Sequence, residues 1–308
     1  MKYLRTKEMK YLGGLNLGIL MPPKVITIAN QKGGTGKTTL TALLAYGLAL
    51  RGHRVLLLDL DPQSHLSSLF LKINDIENVT NGVLEFAAGA RFEIRKIQIA
   101  PGRVKEIGLI PSGINYILNV YRGQIPAWDP NAIYKRIMKE PAIMRNYDYV
   151  ICDTPPELFP PTIWGLYAAD YLIIPTNLEE LSLAGVKILF KEIIPDVILN
   201  SKKELKVLGI AIVNVTRKYK TETIKNLEDK FIKFIKHLPS SIYNRVYRNP
   251  FFETIIFRHS ELKDLPYRPK RWEIPLSRII ESSSELKNEV LKFGKEVEER
   301  IERFEGLQ

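Results

Sequence analysis

The chain has 308 residues, 45% hydrophobic and 26% charged, enough apolar material for one large domain or two small ones and too much for a disordered chain. A single cysteine, Cys152, excludes a disulfide framework and, within one chain, any cysteine-ligated zinc or iron–sulfur centre, and it points to a reducing cytoplasm. The formal net charge of +11 is uneven: residues 201–280 hold 18 Lys and Arg against 8 Asp and Glu, whereas residues 281–308 hold 5 against 8. Such asymmetry suggests a polyanion partner, nucleic acid or an anionic membrane surface; the plainer reading is a solvated basic face.

Residues 1–20 start basic and end mildly apolar but offer no small-residue cleavage site, so they are expected to be an N-terminal extension without fixed structure, with the domain running over 21–308. No run reaches the roughly 18 to 20 apolar residues a spanning helix needs, so no membrane insertion is expected. Lys24–Asn30 is a β-branched run with Pro22-Pro23 before it and glycines after it, the pattern of a buried parallel strand. Thr38 to Leu50 has no breaker and ends at Arg51-Gly52, which predicts a helix, and Arg54–Leu60 is a second apolar strand. Strand, glycine loop, helix and strand make a βαβ unit.

Between the first strand and the helix stands NQKGGTGKTT, Asn30 to Thr39. It departs from the phosphate-loop pattern GxxxxGK[ST] by having Gln31 where the first glycine belongs, followed by a second lysine, Lys32. Gly33, Gly34, Thr35, Gly36, Lys37, Thr38 and Thr39 are the expected cradle: tight turns aim backbone N–H groups at a polyphosphate and the helix adds its positive end. Lys37 supplies charge to the outer phosphates, and the Thr38 hydroxyl suits Mg²⁺. The second strand delivers Asp59 and Asp61, with a cap on the next helix the competing role for Asp61 or Ser64, and YDYVICDTPP delivers Asp153 after an apolar run. Carboxylates at one sheet edge beside the phosphate loop belong where a metal ion and an attacking water would sit.

Further apolar runs at 107–110, 149–152, 171–174 and 207–213 alternate with helical stretches such as 183–199 and 222–235. Together they predict an α/β fold, a doubly wound, mostly parallel sheet flanked by helices, as in P-loop NTPases. With no repeat or low-complexity linker, one domain is expected, with a basic region at about 201–280 and an amphipathic, slightly acidic helix at about 284–305 suited to docking on protein rather than on anionic lipid.

KGGTGKTT, DLDPQ and CDTPP resemble the deviant Walker motifs of the ParA/Soj partition ATPases, relatives of MinD and of the nitrogenase iron protein; IGLIPSG, AADYLIIPTNLEELSLAGV and the segment around IYNRVYRNP resemble later blocks of the family. The resemblance implies an ATP hydrolase using ATP and Mg²⁺, in which Lys32 reaches across a nucleotide-sandwiched homodimer to the partner's phosphates and so makes ATP a dimerising agent. It implies that Lys32, Lys37 and Asp61 are catalytic, Asp61 aligning water; that Thr38, Asp59 and Asp153 serve the metal; and that Asn214 contacts adenine, although a turn-forming asparagine is equally suitable there. It also implies binding to DNA without sequence preference, a ParB-like stimulating partner, and a cytoplasmic, nucleoid-associated protein working in plasmid or chromosome partition.

The DNA-contact candidates are Lys202, Lys203, Arg217, Lys218, Lys220, Arg245, Arg248 and Arg258. Two departures stand out: Ser64-His65 follows DPQ where the family has Gly-Asn, with no catalytic role expected for His65, and Arg245 precedes Val-Tyr-Arg-Asn-Pro instead of Ser-Glu-Ala-Pro. No long segment precedes the phosphate loop, so the helix-turn-helix domain of some relatives is not expected. The alternative is a MinD-like ATPase that works on a membrane surface or positions proteins, which would call for a basic terminal amphipathic helix. An iron-protein role lacks its cysteines, and an amide-forming synthase lacks its substrate domain.

Overall fold

The computed structural model describes residues 21–99, 106–123, 129–158, 160–177, 180–201, 203–217, 221–260, 262 and 276–306. The N-terminal extension, Lys202, Lys218 and Lys220 lie outside the described residues. The strands are β1 (Lys24–Ile28), β2 (Val55–Asp59), β3 (Arg95–Gln98), β4 (Glu106–Ile110), β5 (Tyr149–Asp153), β6 (Tyr171–Thr176), β7 (Lys206–Val215) and β8 (Ile256–Phe257). They form an eight-stranded sheet in the order β3-β4-β2-β5-β1-β6-β7-β8, parallel throughout except where β3 runs against β4.

In chain order the helices are α1 (Lys37–Leu50), α2 (Ile73–Glu77), α3 (Val83–Ala87), α4 (Ile114–Tyr121), α5 (Ala132–Lys139), α6 (Pro141–Asn146), α7 (Pro160–Ala168), α8 (Glu180–Ile188), α9 (Ile194–Asn200), α10 (Thr221–Lys236), α11 (Ser240–Tyr243), α12 (Leu276–Ser282) and α13 (Ser284–Glu305). Alternate residues of the central strands feed two faces, as the period of two requires. Ile26, Leu57, Ile151 and Ile173 pack with α1, α12 and α13. Val25, Leu56, Val150 and Cys152 pack with Ile133 of α5 and Trp164 of α7, while Leu172 and Ile174 pack with α8, α9 and α10.

The helical stretch expected over 183–199 is helical but not uniform: α8 passes through a π-helical turn, Leu189–Ile193, into α9 with Pro195 in its first turn. Two strands escaped the sequence reading, and both are edges. β3, RKIQ, has one apolar residue in four, and β8 has two residues, so neither carries enough apolar pattern to register. In β7 the pairing with β6 slips between Leu172 and Ile173, and Gly209, at φ +150°, absorbs the extra residue.

The terminal helix lies along α1. Leu286, Val290, Phe293, Val297 and Ile301 are buried in the same cluster as Leu40, Leu44 and Leu48. The two helices cross where Gly47 meets Gly294: a Cβ on Gly47 would stand 2.7 Å from the Val290 carbonyl oxygen. The helix that carries the phosphate loop is thereby clamped between the sheet and the C-terminus.

Candidate functional site

Strand register builds the site. Ile28, Asp153 and Asp59 are paired neighbours at the carboxyl ends of β1, β5 and β2, so the chain leaves β1 for the glycine loop beside two carboxylates. Thr154 Oγ1 donates to the Ile28 carbonyl at 2.8 Å and the Leu60 N–H to the Asp153 carbonyl at 2.9 Å, which ties the three strand ends together.

Gly34 and Gly36 take φ of +74° and +85°, a region open to glycine and strained for other residues. Gly36 has a second reason to be glycine, since a Cβ there would meet Val213 Cγ1 at 2.8 Å. Lys37 is buried and donates to the Lys32 carbonyl at 3.0 Å, which folds the loop over its own ammonium group, and the Thr35 hydroxyl donates to the same carbonyl at 3.3 Å. Lys32 itself is half-buried, and Gly33 and Gly34 are exposed.

Thr38 Oγ1 donates to Asp153 Oδ2 at 2.7 Å, and Thr41 Oγ1 lies 3.2 Å from Asp153 Oδ1. Asp59 is fully buried and already engaged: Oδ2 accepts from the Ser67 N–H and hydroxyl at 2.7 and 2.6 Å, and Oδ1 from the Asp61 N–H at 3.2 Å. Of the residues expected to serve the metal, Asp59 therefore braces the 61–67 loop, whereas Thr38 and Asp153 sit together at the head of α1. Asp61 Oδ1 accepts from the Gln63 N–H at 2.8 Å, and its Oδ2 stands 3.3 Å from His65 Nδ1. The helix-cap role considered for Asp61 and Ser64 is replaced by a turn, in which the Ser64 N–H donates to the Asp61 carbonyl at 2.9 Å.

Three carboxylates, Asp59, Asp61 and Asp153, are at most 4% exposed here, with Lys37 the buried cation among them. Burial, with Asp153 and Asp61 nearby, drives the Asp59 carboxyl well above its usual range, and burial, with Asp61, pushes Asp153 up to about 7 despite Thr38 and Lys37. Burial lowers the Lys37 ammonium, with Asp153, Asp61 and Glu157 opposing. The hydrogen bond to Asp61 raises the His65 imidazole. Such an excess of buried negative charge suits a divalent cation. The donors are hard oxygens, Thr38 and carboxylates, the set Mg²⁺ takes when phosphates and waters complete its shell; among the described residues no group of three carboxylate, histidine or cysteine ligands could hold a metal by itself.

Asn214 lies one residue beyond Val213, the side chain that touches Gly36, and has φ +59°; its Oδ1 accepts from Arg258 Nε at 3.2 Å. Among the described residues the DNA-contact candidates do not form one patch. Lys203 pairs with Asp170 at 2.7 Å and Arg245 with Glu204 at 3.4 Å, both near the amino-terminal end of β7. Arg217, against the Phe257 ring and paired with Glu285 and Glu289, and Arg258 lie at the opposite end. Arg248 is exposed on the segment between. His65 and Ser67 are the neighbours that sequence reasoning missed. They stand four and six residues beyond Asp61 in an irregular loop, where spacing predicts no contact.

The AAA_31 family model, an AAA domain, matches residues 23–207. The sporulation initiation inhibitor protein Soj of Bacillus subtilis is 30% identical over 275 residues, 88% of this chain and 99% of Soj. The solved structure of pNOB8 ParA is 25% identical with a TM-score of 0.74, covering 93% of this chain and all of that one; the same protein bound to non-specific DNA superposes with a TM-score of 0.76 at 24% identity, over 91% and 99%. Cobyrinic acid a,c-diamide synthase from Mycobacterium smegmatis, solved with an ATP analogue and magnesium, is 29% identical with a TM-score of 0.59, covering 70% of this chain and 84% of that one.

Proposed function

The chain belongs to the ParA/Soj family of partition ATPases, and from that premise we propose that it binds ATP with Mg²⁺, dimerises around the nucleotide, binds DNA without sequence preference and is released by hydrolysis to ADP and phosphate. The observation that carries the reading is the convergence of Lys37, the Thr38–Asp153 pair and Asp61 at one end of three registered strands. Support for nucleotide and metal comes from the synthase solved with both, and for DNA from the ParA neighbour solved on it.

The loop N–H groups and Lys37 hold the β- and γ-phosphates. Thr38 and Asp153 would hold the Mg²⁺ ion, which would supply charge neutralisation to the phosphate oxygens. Asp61, oriented by the Gln63 N–H and His65, accepts the proton of the water that attacks the γ-phosphate in line. Asp59 keeps that loop in place. Lys32 of one protomer neutralises developing charge on the other's nucleotide, so chemistry waits on assembly. Asn214, beside the loop, contacts the adenine, and a ParB-like partner accelerates a slow basal turnover on the nucleoid.

The membrane-surface alternative loses its anchor, because the apolar face of α13 is already buried against α1. The test is ATP turnover and dimer formation in three proteins. Wild type should do both, Lys32→Ala should bind ATP yet neither dimerise nor turn over, and Asp61→Ala should accumulate an ATP-bound dimer. Wild-type behaviour in Lys32→Ala would remove the lysine in trans.

A further inference from the structure

Most described cations among the DNA-contact candidates are spoken for: Lys203, Arg217 and Arg245 are in ion pairs and Arg258 is bonded to Asn214. A cluster of unpaired positive charge also lies on the seam between α8 with its π-turn and α10. Lys187 and Lys191 are exposed, four residues apart, and place their ammonium groups 6.0 and 5.9 Å from the Phe234 ring of α10. Lys230 stands one helical turn before Phe234 and Lys233 is its neighbour, both exposed. Among the described residues none of these four lysines pairs with a carboxylate. Glu192 adjoins Lys191, and Asp229 lies one helical turn before Lys233 on α10, while Glu228 is turned away from Lys233 and Phe234.

We infer that this seam, Lys187 and Lys191 with Lys230 and Lys233 around Phe234, is a contact surface for the nucleic-acid phosphate backbone; the inference rests on the DNA reading above. Unpaired lysines gain most from a polyanion, since each phosphate they neutralise releases a condensed counterion, whereas a paired cation must first surrender its carboxylate. The half-buried ring gives the ammonium groups a fixed, weakly polar neighbour in place of an acid.

The seam is also joined to the nucleotide end. Two residues before Lys187, Gly185 packs on the loop's first residues: a Cβ there would lie 2.5 Å from Asn30 Oδ1 and 3.7 Å from the Gln31 nitrogen. Asn30 is buried and its Nδ2 donates to the Pro175 carbonyl, on the strand that leads into α8, at 2.7 Å. A shift of the phosphate loop therefore pushes directly on the helix that carries Lys187 and Lys191.

The experiment compares the full chain with Lys187→Gln/Lys191→Gln/Lys230→Gln/Lys233→Gln in binding to a random-sequence duplex, with ATP and Mg²⁺, across a salt series. The slope of log K against log[salt] should fall in magnitude by about 3.6 and affinity at 0.1 M salt by about 10²-fold or more. Turnover without DNA should be unchanged, which also reports an intact fold. If the fourfold variant misfolds, each helix's pair of changes alone should lower the slope by about 2. An unchanged slope removes the seam while leaving DNA binding intact; a wild-type protein that ignores duplex in every nucleotide state removes the DNA reading and the seam with it. Loss of binding to phosphatidylserine vesicles with duplex binding unaltered would reassign the surface to lipid.

Discussion

At Gly36 two independent constraints meet, backbone and space. An alanine there would hold φ near +85° and drive a methyl group into Val213 Cγ1 at 2.8 Å. The left-handed backbone costs an L-residue roughly 1 kcal/mol, and overpacking a closed contact roughly 1 to 3. Gly36→Ala should therefore lose about 2 to 4 kcal/mol in urea unfolding and bind ATP poorly; a loss below about 0.5 kcal/mol would mean that the loop yields easily. His65 offers a test by pH. Its hydrogen bond to Asp61 raises the imidazole above 6.5, so the bond's contribution to stability is complete below pH 6.5 and fades as pH rises through the higher folded value. The thermal midpoint of His65→Ala should trail wild type at pH 6 and approach it by pH 9. A gap that ignores pH would show that His65 packs without a charged partner.

Arg300 on α13 organises the outer edge of the sheet. It is 2% exposed, donates to the carbonyls of Leu208, Asn249 and Phe251 and to Glu296, and lies over the rings of Phe252 and Tyr247, 4.0 and 4.4 Å from their centres. Gly209 leaves it room: a Cβ there would stand 2.6 Å from Nη1. Arg300→Met would strand three carbonyls and a carboxylate, a loss of roughly 3 kcal/mol, and free the 246–257 edge to exchange its amides sooner; unaltered exchange there would show that the edge is held by β7 alone. The three carbonyl contacts could not be read beforehand, because those partners lie 49 to 92 residues from Arg300 along the chain. The legible elements were those whose signal is local. Buried parallel strands announce themselves as apolar runs, and residues 284–305 carry their own helical period. The glycine loop could be read because its working residues are consecutive. What escaped, such as the Ser67 brace on Asp59, the π-turn and the paired state of Arg217, depends on which neighbours the fold supplies.

Across the whole molecule, stability and function pull against each other at the nucleotide end. Asp153 is fully buried, and its folded value of about 7 lies far above the 3.8 of an ordinary carboxyl. A raised folded value contributes stability that is complete below about pH 3.8 and lost as pH climbs through 7, so at pH 8 the nucleotide-free fold carries a charge that destabilises it. Asp59, driven the same way by burial, adds to that trend. Removing the charge while keeping the shape should release the strain. Nucleotide-free Asp153→Asn should melt above wild type at pH 8, with the advantage shrinking toward pH 4. The same variant should forfeit the stabilisation that Mg²⁺ and ATP confer, about 2.7 kcal/mol when ligand stands at 100 times its Kd, because the oxygen paired with Thr38 no longer offers a negative charge to the metal. The two measurements must move in opposite directions. If the variant melts below wild type at pH 8 without nucleotide, Asp153 is a structural brace like Asp59, and the metal must find its charge at Asp61.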